Sequence, residues 1–187
     1  MRFMKLTKVK AAMGLFLAAA MMLGALTTAR LTAQLPPKLG PEHEWLKESE
    51  GTWDATIKSS VGDSKGNLSC QIGLGELWLL EHFKGEFAGK PFEGRGATSY
   101  DPGKKKFVNV WIDSVTASPS VSEGTYDKAT KTLTLVGDMP LPGGKSMKGA
   151  KIFVFTDANT KTYTLNGTLP GGKEFEMMKV TYTRRAK

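Results

Sequence analysis

Between Thr52 and Arg185 apolar and polar side chains alternate in short runs, and nearly every run stops at a cluster of Asp, Pro, Gly or Lys. A period of two with such dense punctuation excludes long helices and requires antiparallel strands joined by tight turns. The stretch Tyr100-Asp101-Pro102-Gly103-Lys104-Lys105-Lys106 leading into Phe107-Val108-Asn109-Val110-Trp111-Ile112-Asp113 holds the whole unit: a turn, then a β-branched and aromatic strand ending on a carboxylate. The alternation predicts strands over 53–58, 67–74, 77–87, 92–100, 106–113, 120–126, 132–136, 147–155, 162–169 and 174–184. Short connections favour neighbouring antiparallel pairs, and closure removes exposed edges. The expected fold is therefore all-β: a roughly ten-stranded up-and-down barrel preceded by a short helix over 42–50 that Gly51 stops.

The turns echo one another. Asp101, Asp127 and Asp157 are each followed four residues later by Lys105, Lys131 and Lys161, and Leu141-Pro142-Gly143-Gly144-Lys145 returns as Leu169-Pro170-Gly171-Gly172-Lys173. Pro presets φ at the first central turn position and Gly supplies positive φ at the second. No helix follows either glycine pair, so these are hairpin turns rather than phosphate loops.

The first 33 residues stand apart. Arg2, Lys5, Lys8 and Lys10 precede an uninterrupted apolar run of 16 residues, Ala11 to Leu26, and small residues around Ala29 and Ala33 offer cleavage sites. This three-part pattern predicts a secretory signal peptide over 1–33, and the run is shorter than the roughly 20 residues of a spanning helix. Residues 34–41, rich in Pro, read as a linker to a single barrel domain over 42–187. The expected product is periplasmic or extracellular, with no stable membrane anchor after cleavage.

Removing the leader takes five of the 26 basic residues and lowers the net charge from +8 to +3. A nucleic-acid partner calls for a basic stripe with interleaved aromatics. The only basic run, Lys104-Lys105-Lys106, sits in a turn, so no nucleic acid is expected. Cys70 is the sole cysteine and alternates with Leu68, Ile72 and Leu74, which makes it a buried thiol without a disulfide partner. His43 and His82 are the only histidines. They form no ligand cluster, so neither a metal nor another cofactor is assigned. His82 is the one barrel candidate for an axial haem ligand, but Lys84 and Glu86 on its face place it towards solvent. No G-x-S-x-G elbow is present, and no catalytic residue is assigned.

Gly51-Thr52-Trp53 at the first strand and Thr181-Tyr182-Thr183-Arg184-Arg185 at the last resemble the calycin superfamily of lipocalins and fatty-acid-binding proteins. That resemblance implies that Trp53 stacks against Arg184 or Arg185 and plugs one barrel end. Gly89-Lys90-Pro91-Phe92-Glu93-Gly94, Tyr100-Asp101, Trp111-Ile112-Asp113-Ser114 and Met178 with Thr181-Tyr182-Thr183-Arg184 are similar to a bacterial family of exported proteins, domain of unknown function 1579 (DUF1579). It implies a calycin-like barrel and brings no activity or substrate.

Ten strands enclose more volume than side chains alone fill. The leading expectation is a small, largely apolar ligand in the interior. Leu79, Phe83, Trp111, Met178 and Tyr182 would form its walls, and Glu81 or Arg95 the polar contact, with Asp113 beside Trp111. Glu81 shares the more apolar face of strand three, and a buried carboxylate needs a partner, from Arg95, Tyr182 or Arg184. On strand five both faces are partly apolar, so whether Trp111 and Asp113 point inward is open. The alternatives are a structural or interaction module whose barrel is filled by its own aromatics, and a cavity enzyme of isomerase or cyclase type using Glu81 or Asp113. Alternation does not fix the oligomeric state.

Overall fold

The computed structural model describes residues 39–141 and 143–186. The predicted signal peptide and residues 34–38 of the predicted linker lie outside the described residues. A short helix, α1 (His43–Ser49), leads into β1 (Gly51–Ser59), β2 (Ser64–Gly73), β3 (Trp78–Phe87), β4 (Lys90–Asp101) and β5 (Lys106–Asp113). The sheet continues through β6 (Ser120–Asp127), β7 (Thr132–Leu141), β8 (Lys145–Asp157), β9 (Thr160–Thr168) and β10 (Glu174–Arg184). Each strand pairs with its sequence neighbours, and β1 pairs with β10 to close the barrel. The expected antiparallel up-and-down barrel of ten strands is thus the observed one.

Local chemistry explains the elements. Gly51, at φ 124°, turns the chain from α1 into β1. In three hairpins an Asp anchors the turn by accepting backbone N–H groups: Asp101 from Gly103 at 2.8 Å, Asp127 from Ala129 at 2.8 Å and Asp157 from Asn159 at 2.7 Å. In the first two turns the left-handed residue is the lysine itself, Lys105 at φ 53° and Lys131 at φ 50°, and in the first it is Lys105 rather than Gly103. Strand β7 runs to Leu141, well past the predicted end at 136. Its last residues pair with β8 alone, because the β6 ladder stops at Val121↔Asp138. Pro140 is tolerated there because its missing N–H faces no partner.

The two ends of the barrel differ. At one end α1 packs against β2, β3 and β4. Its Trp45 sits 5.9 Å from Phe107, 5.9 Å from Phe153 and 6.3 Å from Phe155, ring centre to ring centre. Trp53, Leu79, Phe107 and Leu133 are essentially inaccessible in the same layer. The Trp53 indole donates from Nε1 to the Ser49 carbonyl at 3.0 Å, and the Arg184 guanidinium carbon lies 4.0 Å from its ring centre. Arg184 also donates to the carbonyls of Glu48, Glu50 and Ala158. The expected Trp53–Arg stack therefore forms with Arg184, while Arg185 pairs with Asp54 on the outside. The plug satisfies the carbonyls at the helix C-terminus and seals this end.

Candidate functional site

Strand register decides which side chains meet inside. Glu81 of β3 lies opposite Cys70 of β2 and Gly96 of β4, and Gly96 lies opposite Trp111 of β5. All four therefore share the inner face, with Leu79 and Phe83 flanking Glu81. On β5 the buried Phe107 and Asn109 settle the open question: Phe107, Asn109, Trp111 and Asp113 point inward. Strand β4 contributes Thr98, β8 Lys151, β9 Lys161 and Tyr163, and β10 Met178 and Tyr182.

These polar groups form one directed chain across the barrel. Lys151 Nζ donates to Asn109 Oδ1 at 2.8 Å, Asn109 Nδ2 donates to Thr98 Oγ1 at 2.9 Å, and Thr98 Oγ1 donates to Glu81 Oε2 at 3.2 Å. Every donor points from the amine towards the carboxyl. To reach Asn109 the Lys151 side chain crosses from β8 past β7 and β6, beside its β7 neighbour Leu135 and past the small inward residues Gly137, Ser122 and Gly124. A side chain at Gly124 or Gly137 would collide with the carbonyl of Thr134 or of Val121, so the sheet also coils tightly at this wall.

Burial sets the charge states. It raises the Glu81 carboxyl above its usual range, against the pull of Lys161, the Thr98 hydrogen bond and Lys151. Burial likewise lowers Lys151 from 10.5 to about 8, opposed by Glu81 and Asp113. Lys161 is only 2% exposed and is lowered by burial too. Its Nζ stands 4.4 Å from the Trp53 ring centre, 5.6 Å from Tyr182 and 5.7 Å from Phe155, an aromatic cage that favours a cation. Tyr163 and Tyr182 are held neutral by burial, and the Cys70 thiol is pushed up to about 12 by the same cause.

Beyond the aromatic plug the inward side chains are less completely buried. Glu81, Trp111, Tyr163, Leu165 and Met178 face inward from a closed sheet yet keep accessible surface. The Trp111 ring packs on Gly94, where a Cβ would strike it, and beside Gly96, where a Cβ would meet Glu81 Oε2 and then the ring; its Nε1 donates to Asp113 Oδ2 at 3.1 Å. Asp113 in turn accepts the backbone N–H groups of Val115 and Thr116, both at 2.9 Å, and so ties the β5–β6 loop to this wall.

Of the residues singled out from sequence, Leu79, Glu81, Phe83, Trp111, Asp113, Met178 and Tyr182 all face the interior. Arg95 does not. It is 62% exposed and pairs with Glu93 outside the barrel, because it alternates with the inward Gly94 and Gly96. The polar partner of Glu81 is Thr98 instead, and the nearby cations are Lys151 and Lys161. His82 also faces out, with its Nε2 at 2.6 Å from Glu93 Oε1. Sequence reasoning missed Thr98, Asn109, Lys151, Lys161 and the inward hydroxyls of β6. The usable signal was phase: Lys151 alternates in step with Phe153 and Phe155.

The family model described as "Protein of unknown function (DUF1579)" matches residues 38–184. No curated protein matches the sequence. Among solved structures the barrel is similar to Rv2717c from M. tuberculosis, with 15% identity and a TM-score of 0.58 over 80% of this chain and 100% of that one. A de novo designed fluorescence-activating beta barrel matches at 15% identity and a TM-score of 0.42, over 75% of this chain and 96% of that one. The likeness to Rv2717c is one of fold.

Proposed function

The chain belongs to the DUF1579 family of proteins of unknown function, and we propose that it is an exported carrier whose barrel holds a small, largely apolar molecule. The observation that carries this reading is the Lys151–Asn109–Thr98–Glu81 chain, set in a hollow otherwise walled by Phe83, Trp111, Met178, Tyr163 and Tyr182. A few convergent polar groups in an apolar recess orient a guest, and the recess supplies affinity. The α1 plug leaves guest entry to the opposite end, where Trp111 and Asp113 lie near the β5–β6 loop. A barrel filled by its own aromatics describes the helix end, but not the middle, where inward side chains keep accessible surface.

The test is titration with anilinonaphthalene sulfonate, an apolar fluorophore with an anionic group. Saturable binding is expected, with energy transfer from tryptophan that falls in Trp111→Phe. Affinity is expected to fall in Lys151→Met, which removes one of the two interior amines, Lys161 being the other. Absence of saturable binding to the native protein, or binding indifferent to both substitutions, would refute the reading.

A further inference from the structure

Enclosing an apolar guest needs no primary amine, yet the polar chain begins on one. Resting on the reading of a hollow interior, we propose that Lys151 captures small apolar aldehydes inside the barrel as a reversible Schiff base. The geometry supplies three requirements. First, the amine is not committed to an acid: Nζ donates to the neutral Asn109 amide at 2.8 Å, and among the described residues Lys151 makes no ion pair. Second, the wall it crosses carries unused donors. Ser120 and Ser122 are 8% and 2% exposed, and their hydroxyls have no partner among the described residues. Ser122 sits opposite Asn109, the residue that the Lys151 amine reaches, and Ser120 sits opposite Trp111. A buried hydroxyl without a partner is costly, and a guest oxygen is a fitting acceptor for it. Third, the remaining surroundings suit an apolar chain, with Phe153, Leu165 and Met178 inward and partly accessible.

The chemistry balances without an oxidant or reductant. The lone pair of the neutral amine attacks the carbonyl carbon and forms the C–N bond, while the C=O π pair moves to oxygen. That oxygen takes up a proton as nitrogen gives one up, leaving a carbinolamine. Its hydroxyl then departs as water with the last amine proton, and the nitrogen lone pair closes the C=N bond. Amine plus aldehyde gives imine plus water, and water reverses it. The groups that face the interior around this amine are Glu81 from β3, Asp113 from β5, Lys161 and Tyr163 from β9, Tyr182 from β10 and Cys70 from β2. Burial lowers Lys151 to about 8, so part of the population is the free base at neutral pH, as a desolvated amine nucleophile requires.

The experiment exposes the purified protein to decanal and cyanoborohydride at neutral pH, followed by peptide mapping. In parallel, 1-decanol is titrated against tryptophan fluorescence in wild type and Trp111→Phe. Lys151 is expected to gain the mass of the aldehyde less one oxygen, at a rate at least about tenfold above exposed Lys128. Lys151 labelling no faster than Lys128 labelling, while decanol still perturbs Trp111, overturns the imine and leaves the hollow standing. Slow labelling together with no response to decanol overturns both.

Discussion

Replacing Lys151 by Met changes how the stability of the barrel depends on pH. On folding, the proton affinity of this amine falls from 10.5 to about 8, with burial as the main cause. Each tenfold loss corresponds to about 1.4 kcal/mol, so keeping the charged form inside costs about 3 kcal/mol at pH 7. A cation whose folded pKa lies below its unfolded value carries that cost in full below pH 8, and sheds it as pH rises towards 10.5. Between pH 7 and 10 the wild type should therefore gain about 2.5 kcal/mol relative to Lys151→Met, with the titrating groups not coupled to Lys151 cancelling in the difference. Urea unfolding of both proteins at several pH values measures this directly. In a chain of this size the gain corresponds to roughly 5–10 °C in Tm. Stability curves that stay parallel within about 0.5 kcal/mol would show that the amine is not held in a desolvated interior, and would refute the reasoning.

Glu81 titrates the opposite way: its folded pKa is raised by burial, so its stability contribution is present in acid and is lost as pH climbs through that raised value. Glu81→Gln should be more stable than wild type at pH 8 and lose that advantage towards pH 4, as thermal melts across this range would record. Arg184→Ala removes the stack on Trp53 and the bonds to three carbonyls, and should cost about 2–4 kcal/mol in urea unfolding. A loss below about 0.5 kcal/mol would mean that the plug holds without it. Gly94→Ala drives a methyl into the Trp111 indole and should shift its fluorescence while costing about 1–3 kcal/mol. Cys70, at about 12, should react with an aromatic disulfide reagent at pH 8 only as fast as the protein unfolds, and prompt labelling would place the thiol at an open surface.

Fold class and strand order were legible because turn chemistry and alternation are local. Asp101 and Asp127 anchor their turns through their own side chains, so the hairpins are written in a few residues. The wall of the site was legible where one face is plainly more apolar, as on β3, where Glu81 keeps step with Leu79 and Phe83. Strand five was ambiguous because Val108, Val110 and Ile112 are as apolar as Phe107 and Trp111, and the outward face of a barrel tolerates them.

The polar chain was hidden for a different reason. Its members come from β3, β4, β5 and β8, and only closure brings them together. Lys161 is the clearest case. It repeats the spacing of Lys105 and Lys131, which take positive φ in their turns. Its own hairpin is tighter, with Asp157 paired to Thr160 after an irregularity, so Lys161 becomes an inward strand residue opposite Phe155. The same spacing gives a solvated turn twice and a buried cation once, and sequence reads the spacing without the register. Arg95 fails in the complementary way. It was one of three candidate partners for Glu81, with Tyr182 and Arg184, but it lies one residue out of phase with the inward glycines.

Native mass spectrometry of the purified protein, followed by organic extraction, tests the central claim most directly. A hollow barrel with a polar chain at its middle should carry a reproducible guest of a few hundred daltons, of the size such recesses enclose. That added mass should diminish in Glu81→Gln and Trp111→Phe. A bare protein mass that persists after exposure to lipids, aldehydes and pigments would contradict the account.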